Sequence, residues 1–139
     1  MPQSILTVTL NPSLDKSTRV AGIMPEKKLR CEAPHYQPGG GGVNVARAIR
    51  KLGGEAMALY LAGGHGRHFF RELLENEGVE ALPLPMDGRI REALAVVDTT
   101  TNQQYRFNEP GPTVSETEWQ NCLAEISRMD GLRYVVGSG

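Results

Sequence analysis

A run of four glycines, Gly39 to Gly42, constrains this sequence more than any other feature. Without Cβ atoms, the backbone can adopt positive φ angles and come within hydrogen-bonding distance of a ligand. Apolar residues then recur at helical spacing from Val43 to Leu52, and Gly53-Gly54 supplies a stop signal. A helix that begins on a glycine loop directs free N–H groups and partial positive charge toward it. The run predicts a loop that binds a polyhydroxylated or phosphorylated ligand, with a merely flexible loop as the alternative.

Strand patterns and helical patterns alternate along most of the chain. Buried strands are predicted for the apolar runs 5–10, 56–62 and 134–136. Residues 69–74 and 119–129 show helical spacing, the second after Ser115-Glu-Thr-Glu118, which is close to an N-terminal capping sequence. This alternation predicts an α/β fold with a parallel sheet flanked by helices.

Two polar excursions interrupt this alternation. Residues 17–34 contain short mixed runs around Pro25-Glu-Lys-Lys28, and residues 90–109 contain two alternating runs around Thr100-Thr-Asn-Gln103. Turn residues between short alternating runs are typical of hairpins. We therefore expect both excursions to be hairpins that project from the sheet.

The chain stops directly after its last predicted strand, at Gly137-Ser138-Gly139. In open α/β sheets, ligands bind beyond the carboxyl ends of the strands, and a loop at that edge leads onward to a covering helix. We expect residues 1–139 to be the N-terminal portion of one domain, truncated before its C-terminal half. A small sheet completed by oligomerisation is the alternative.

The charge balance argues against large anionic partners. With 15 basic and 16 acidic residues, the formal net charge is -1, so we expect no nucleic-acid and no membrane partner. The N-terminus shows no signal peptide, and the cytoplasm is the simplest location. Cys31 and Cys122 lie outside any CxxC pattern and are expected to be free thiols. His65 and His68 lack a nearby cysteine or carboxylate cluster, so no metal site is predicted.

Two common phosphate-binding glycine motifs are absent. The sequence contains no Gly-x-x-x-x-Gly-Lys-Ser/Thr, and no Gly-x-Gly-x-x-Gly follows a predicted buried strand. Residues 34–38, just before the glycines, are not a hydrophobic strand. All three observations argue against a P-loop or a dinucleotide-binding fold.

The spacing around the glycines resembles the first signature of the ribokinase-like (PfkB) carbohydrate kinase family. Here that signature is Gly40-Gly-Gly-Val-Asn-Val-Ala46, then six residues to Gly53 and nine more to Gly63. Thr7-Val-Thr-Leu-Asn-Pro-Ser-Leu-Asp15 is similar to the opening of the branch that acts on phosphorylated sugars. The resemblance covers nearly the whole chain. It implies a parallel-sheet core with a small β lid formed by residues 17–34 and 90–109.

The resemblance also implies roles for residues near the glycines. Asp15 would bind sugar hydroxyls, the backbone of Gly40, Gly41 and Gly42 would lie against the sugar, and the amide of Asn44 would donate to it and accept from it. From the residues alone, Asp15 could instead cap the turn after Asn11-Pro12, and Asn44 could cap the helix.

Three basic residues complete the implied site. Arg91 and Arg106 match positions that hold the sugar's phosphate, a role that suits the guanidinium group. Lys28, at the tip of the first excursion, lies in a region that approaches nucleotide phosphates from a neighbouring site. For each of these residues a solvated surface position is the alternative.

The implied reaction is the ATP- and Mg²⁺-dependent phosphorylation of fructose 6-phosphate to fructose 1,6-bisphosphate, a step of glycolysis. A 1-phosphofructokinase or tagatose-6-phosphate kinase is one alternative, and a non-catalytic sugar-binding or dimerisation module is another. The family's catalytic aspartate belongs to a Gly-Ala-Gly-Asp motif that does not occur in these 139 residues. We therefore predict no catalytic residue and expect the chain alone to be inactive. The resemblance also implies a homodimer formed through the lid.

Overall fold

The structure is a computed structural model that describes residues 4–138. Its strands are β1 (Ile5–Thr9), β2 (Ser13–Val20), β3 (His35–Gly39), β4 (Met57–Ala62), β5 (Glu80–Pro85), β6 (Arg91–Asp98), β7 (Gln103–Asn108) and β8 (Tyr134–Ser138). Its helices are α1 (Gly41–Lys51), α2 (Arg67–Asn76) and α3 (Glu116–Ser127). None of the helices within residues 4–138 combines the length and the apolar content needed to cross a bilayer.

The central sheet is parallel throughout and has the strand order β5-β4-β1-β8. Leu59, Tyr60 and Leu61 of β4 have no exposed surface. Because successive side chains of a strand point to opposite faces, β4 is covered on both sides. Helix α1 packs on β1 and β4, and α2 packs on β5. The α/β fold expected from the sequence is confirmed.

Strand β5 is not predicted by the sequence pattern. Its sequence, Glu80-Ala-Leu-Pro-Leu-Pro85, contains two prolines, which lack the N–H group that a central strand donates to a neighbour. β5 lies at the edge of the sheet and pairs only with β4 among the described strands. An edge strand needs hydrogen bonds on one side only, so the prolines are tolerated there.

The second sheet, which we call the lid, has the strand order β3-β2-β6-β7. β2 pairs with β6 in parallel, whereas the β2–β3 and β6–β7 pairs are antiparallel. The β6–β7 hairpin lies within residues 90–109. The lid corresponds to the small β sheet that the resemblance implies.

The first excursion differs from its sequence prediction in detail. Its paired strands are residues 13–20 and 35–39, and residues 21–34 form the loop between them. Residues 35–39 are thus a strand, although their sequence lacks an apolar pattern. β3 is an edge strand of the lid, and His35, Tyr36 and Gln37 are exposed, so no buried face imposes that pattern.

The predicted capping sequence of α3 is a complete capping box. The backbone N–H of Glu118 donates to Ser115 Oγ at 3.2 Å, and the backbone N–H of Ser115 donates to Glu118 Oε1 at 2.9 Å. Glu118 Oε2 also accepts from the backbone N–H of Asp87 at 2.9 Å. These hydrogen bonds keep the pKa of Glu118 below its ordinary value, the one from Ser115 being the largest cause.

Asp98, at the end of β6, ties two turns of the lid together. Its carboxylate accepts hydrogen bonds from the hydroxyl and the backbone N–H of Thr100, at 2.6 and 2.9 Å. It also accepts from the backbone N–H groups of Ile23 and Gly22, at 3.0 and 3.2 Å. Led by the Thr100 hydroxyl, these bonds hold the pKa of Asp98 far below its ordinary value. The loop 21–34 is therefore fastened to the β6–β7 turn by one charged group.

We expect Asp98→Asn to lower the melting temperature by about 5 °C at pH 7, because an amide accepts these hydrogen bonds less strongly than a carboxylate. A carboxyl group with a depressed native pKa stabilises the fold above its unfolded pKa of about 3.9 and loses that contribution as the pH falls further. The variant should therefore approach the parent in stability below about pH 4. Thermal unfolding between pH 2 and pH 8 measures this. Asp130→Asn, at an exposed aspartate, is the control, and an equal effect of both substitutions would contradict the role of Asp98.

Candidate functional site

The glycine run joins β3 to α1 and packs on the end of β1. Gly40 has a φ angle of 114°, which L side chains rarely adopt, and a Cβ atom there would come within 2.7 Å of Thr9 Cγ2. At Gly42, a Cβ atom would lie 2.9 Å from the carbonyl oxygen of Val8 and still closer to the Thr9 hydroxyl. Glycine is needed at both positions because the loop lies directly on the neighbouring strand.

Thr9 caps helix α1 from outside the helix. The N-cap residue is Gly40, which has no side chain to accept a hydrogen bond. The backbone N–H of Val43 donates instead to Thr9 Oγ1 at 3.0 Å. The first turn of α1, Gly41 to Asn44, contains no acidic residue, so the positive end of the helix dipole is not neutralised within the turn. The positive end of the helix dipole is therefore suited to contact an electronegative group of a ligand.

Asp15 lies directly over the glycine run. Its half-buried carboxylate occupies the space that a Cβ atom at Gly39 would need. Ser13 Oγ donates a hydrogen bond to Asp15 Oδ1 at 2.6 Å, which orients the carboxylate. A carboxylate in this position can accept hydrogen bonds from hydroxyl groups of a ligand on the loop.

One face of the lid, which we call the inner face, carries Asp15, Arg91 and Arg106. In the register of the strands, Arg91 lies opposite Ser13, and Arg106 lies opposite Ala95. Ser13 and Asp15 are two residues apart on β2, and Arg91 and Ala95 are four apart on β6. Residues at even spacing on a strand share a face, so the lid presents all three predicted residues on the same side.

The inner face contains a cavity of about 310 Å³ that brings Asp15 and Arg106 together. Gln37, Gln104 and Asn108 also line it, so its wall offers amide and charged groups. This composition suits a small polar ligand with hydroxyl and anionic groups.

Arg91 lines a separate cavity of about 440 Å³ together with Arg89 and Glu109. Its Nε atom is buried and has no hydrogen-bond partner among residues 4–138. The structure thus places Arg91 on the inner face without bringing it into the cavity that Asp15 and Arg106 share. Lys28 is also apart from that cavity: its side chain is exposed in the loop 21–34.

Asn44 is exposed in the first turn of α1, beside a buried arginine. Arg47 Nη1 donates to the carbonyl oxygen of Pro38 at 3.0 Å and to Asn44 Oδ1 at 3.4 Å. Arg47 Nε and Nη2 donate to the two carboxylate oxygens of Glu77, at 2.7 and 2.8 Å. The hydrogen bond from Arg47 is the main reason why the pKa of Glu77 lies below its ordinary value.

Several residues at the site escape the sequence analysis. Ser13 orients Asp15, Thr9 caps α1, Arg47 contacts Asn44, and the Ser138 hydroxyl occupies the space beside Gly41. Arg47 could have been found from its position three residues after Asn44, because residues at that spacing are neighbours on a helix. Ser13 could likewise have been found two residues before Asp15, because residues at that spacing share a face of a strand. Thr9 and Ser138 reach the glycine run only through tertiary packing, which leaves no local pattern.

The sequence of residues 8–134 matches the sequence model of the pfkB family of carbohydrate kinases. This chain belongs to the pfkB family. The predicted resemblance is therefore confirmed.

Named relatives of this pfkB chain are similar along almost its full length. The ATP-dependent 6-phosphofructokinase isozyme 2 of Mycobacterium tuberculosis is 42% identical over 136 residues, which are 97% of this chain and 40% of that protein. The isozyme 2 of Escherichia coli is 41% identical over 135 residues, which are 97% of this chain and 44% of that protein.

Solved structures show the same fold. The phosphofructokinase-2 of Escherichia coli in complex with fructose-6-phosphate superposes with a TM-score of 0.90 at 40% identity, and the match covers 99% of this chain and 45% of that chain. This chain therefore spans less than half the length of the relatives it matches.

We expect Thr9→Val to destabilise the fold by about 1 kcal/mol, since valine keeps the shape of threonine but cannot accept the Val43 N–H. Urea unfolding followed by circular dichroism measures the difference. Thr117→Val, on the exposed surface of α3, is the matched control and should change the free energy of unfolding by less than about 0.5 kcal/mol. An effect of Thr9→Val no larger than the control would show that Thr9 does not cap α1.

Proposed function

We propose that this chain is the sugar-binding portion of an ATP-dependent 6-phosphofructokinase that phosphorylates fructose 6-phosphate. The observation that carries the proposal is the position of Asp15, whose carboxylate lies on the glycine run and also lines the cavity that contains Arg106. A hydroxyl-binding carboxylate and a phosphate-binding guanidinium on one cavity match the two ends of a phosphosugar. The names of the similar phosphofructokinases support the same substrate.

The proposal gives each predicted site residue a role. Asp15 accepts hydrogen bonds from sugar hydroxyls above the backbone of Gly40 to Gly42, and Asn44 contacts the sugar from the first turn of α1. Arg106 binds the phosphate. Arg91, which lies on the same face but lines a separate cavity, is proposed as a second phosphate contact. This contact requires its Nε atom, which has no hydrogen-bond partner among residues 4–138, to turn toward the ligand.

ATP, Mg²⁺, the glycolytic reaction and a cytoplasmic location are parts of the same proposal. Among residues 4–138, no group of three or more His, Cys, Asp or Glu side chains is placed to hold a metal ion. Lys28 is proposed to contact the phosphates of a nucleotide in a neighbouring subunit. Its side chain is exposed, as this contact requires. The chain alone should show no turnover with ATP and fructose 6-phosphate in a coupled assay.

We expect fructose 6-phosphate to bind this chain and Asp15→Asn to raise its Kd by roughly 10- to 100-fold, because hydrogen bonds to a charged group contribute about 1.5–3 kcal/mol. Isothermal titration calorimetry measures the Kd. Asp130→Asn is the control, because Asp130 is an exposed aspartate that does not line the cavity. Tighter binding of fructose 1-phosphate or tagatose 6-phosphate would favour the other sugar-phosphate kinases. Equal Kd values for the parent and Asp15→Asn would contradict the role of Asp15.

The proposal includes a homodimer formed through the lid. The face of the lid opposite the inner face carries Leu94, Tyr105 and Phe107, as the alternation along β6 and β7 requires. Phe107 is 59% exposed and Tyr105 is 39% exposed. Large exposed apolar side chains grouped on one surface favour a protein partner, and a second copy of the lid would cover them.

If the lid dimerises, Phe107→Asp should convert the dimer to a monomer, because it would bury a charge without a partner in an apolar contact. Size-exclusion chromatography with light scattering measures the mass at several concentrations. Leu52→Asp, at a leucine that is 88% exposed just after α1, is the matched control and should leave the mass unchanged. A parent chain that is monomeric at all concentrations would refute the dimer proposal for this chain.

A further inference from the structure

Arg47 is a buried cation whose guanidinium forms hydrogen bonds with three separate segments of the chain. Only 9% of the residue is exposed. It forms a two-point ion pair with Glu77, just beyond the end of α2, and it donates to the carbonyl oxygen of Pro38, near the end of β3. A guanidinium held at both edges cannot rotate freely, so the direction of its remaining N–H groups is fixed.

The hydrogen bond to Asn44 determines which way that amide faces. A guanidinium has donors only, so the Asn44 atom that faces Arg47 must be the oxygen, Oδ1. The Nδ2 group lies on the other side of the amide carbon. The side chain of Asn44 is exposed, and its two N–H groups are therefore presented to a ligand while its oxygen is engaged.

We propose that Arg47 is a positioning residue that holds the Asn44 amide as a hydrogen-bond donor to the substrate. Asn44 then recognises an acceptor, such as the oxygen of a sugar hydroxyl, and leaves the acceptance of hydroxyl hydrogens to Asp15. This inference rests on the proposed function, since it assumes that the ligand of the glycine loop is a sugar. The sequence analysis expects the Asn44 amide both to donate hydrogen bonds to the sugar and to accept them, whereas this inference assigns it only the role of donor.

Asn44→Asp separates the two roles, because the new carboxylate keeps the oxygen that Arg47 requires but has no N–H to donate. We expect the Kd for fructose 6-phosphate, measured by calorimetry, to rise at least tenfold, with a melting temperature equal to that of the parent or higher. The loss should persist at high salt, which screens repulsion between the new charge and the phosphate. Binding as tight as in the parent would show that Asn44 acts as an acceptor and would overturn the proposal.

Arg47→Lys tests the positioning itself, since lysine retains the charge but not the planar fork. We expect the Kd to rise about tenfold and the ¹⁵N–¹H resonances of the Asn44 side-chain amide to shift. Arg71→Lys is the matched control, because Arg71 forms an ion pair with Glu75 in which both side chains are half exposed. Neither the Kd nor the Asn44 resonances should change in this variant. An Arg47→Lys variant with a lower melting temperature but an unchanged Kd and unchanged Asn44 resonances would show a purely structural role.

The two readouts distinguish failure of this inference from failure of the proposed function. If the parent chain binds no fructose 6-phosphate, the proposed function fails for this chain. The Asn44 resonances are measured without ligand and still report whether Arg47 holds the amide. If they do not respond to Arg47→Lys, the positioning role is wrong whatever ligand the loop binds.

Discussion

The contact between the glycine run and the end of β1 is the one on which the rest of the structure depends. β1 is an interior strand of the central sheet, so hydrogen bonds to both neighbours hold Thr9 in place. Thr9 in turn determines how closely Gly40 and Gly42 approach and where the first turn of α1 begins. The lid starts only a few residues later, at Ser13, and places Asp15 over Gly39, the first glycine of the run. One threonine therefore relates the central sheet, the loop and the helix to each other.

Three charged side chains in this protein bind backbone groups of separate segments. Asp98 gathers N–H groups from two turns, Glu118 gathers N–H groups from two segments, and Arg47 binds a carbonyl oxygen beside the glycine run. A backbone polar group that leaves water without a partner costs free energy, and a charged partner forms a stronger hydrogen bond than a neutral one. This local use of charge is consistent with a net charge of only -1, which creates little long-range field.

The sequence predicts the elements whose information is local. The apolar run of β4, the spacing of α1 and the capping box of α3 each depend on side chains within one element, and all three are confirmed. β5 and β3 escape prediction because an edge position, which the sequence does not reveal, permits their prolines and polar residues. The resemblance to the family rests on the residues and spacing of the glycine motif, whereas Thr9 and Ser138 reach the glycine run only through tertiary packing. The separate cavities of Arg91 and Arg106 likewise depend on side-chain positions that a shared strand face does not determine.

The parallel pairing of β2 with β6 has a consequence for the order in which the molecule assembles. These strands are neighbours in the lid, but two of the four strands of the central sheet, β4 and β5, lie between them in the chain. Closing so long a loop costs conformational entropy that local contacts must first offset, and such distant pairings form slowly. A chain emerging from the ribosome contains Asp15 and the glycine run early, yet Arg106 can join them only after β6 and β7 have been synthesised and β6 has paired with β2. The cavity that Asp15 and Arg106 line is thus completed after β1, β4 and β5 are available to pair, and a slow step at the lid would delay that cavity without delaying the pairing of these three strands.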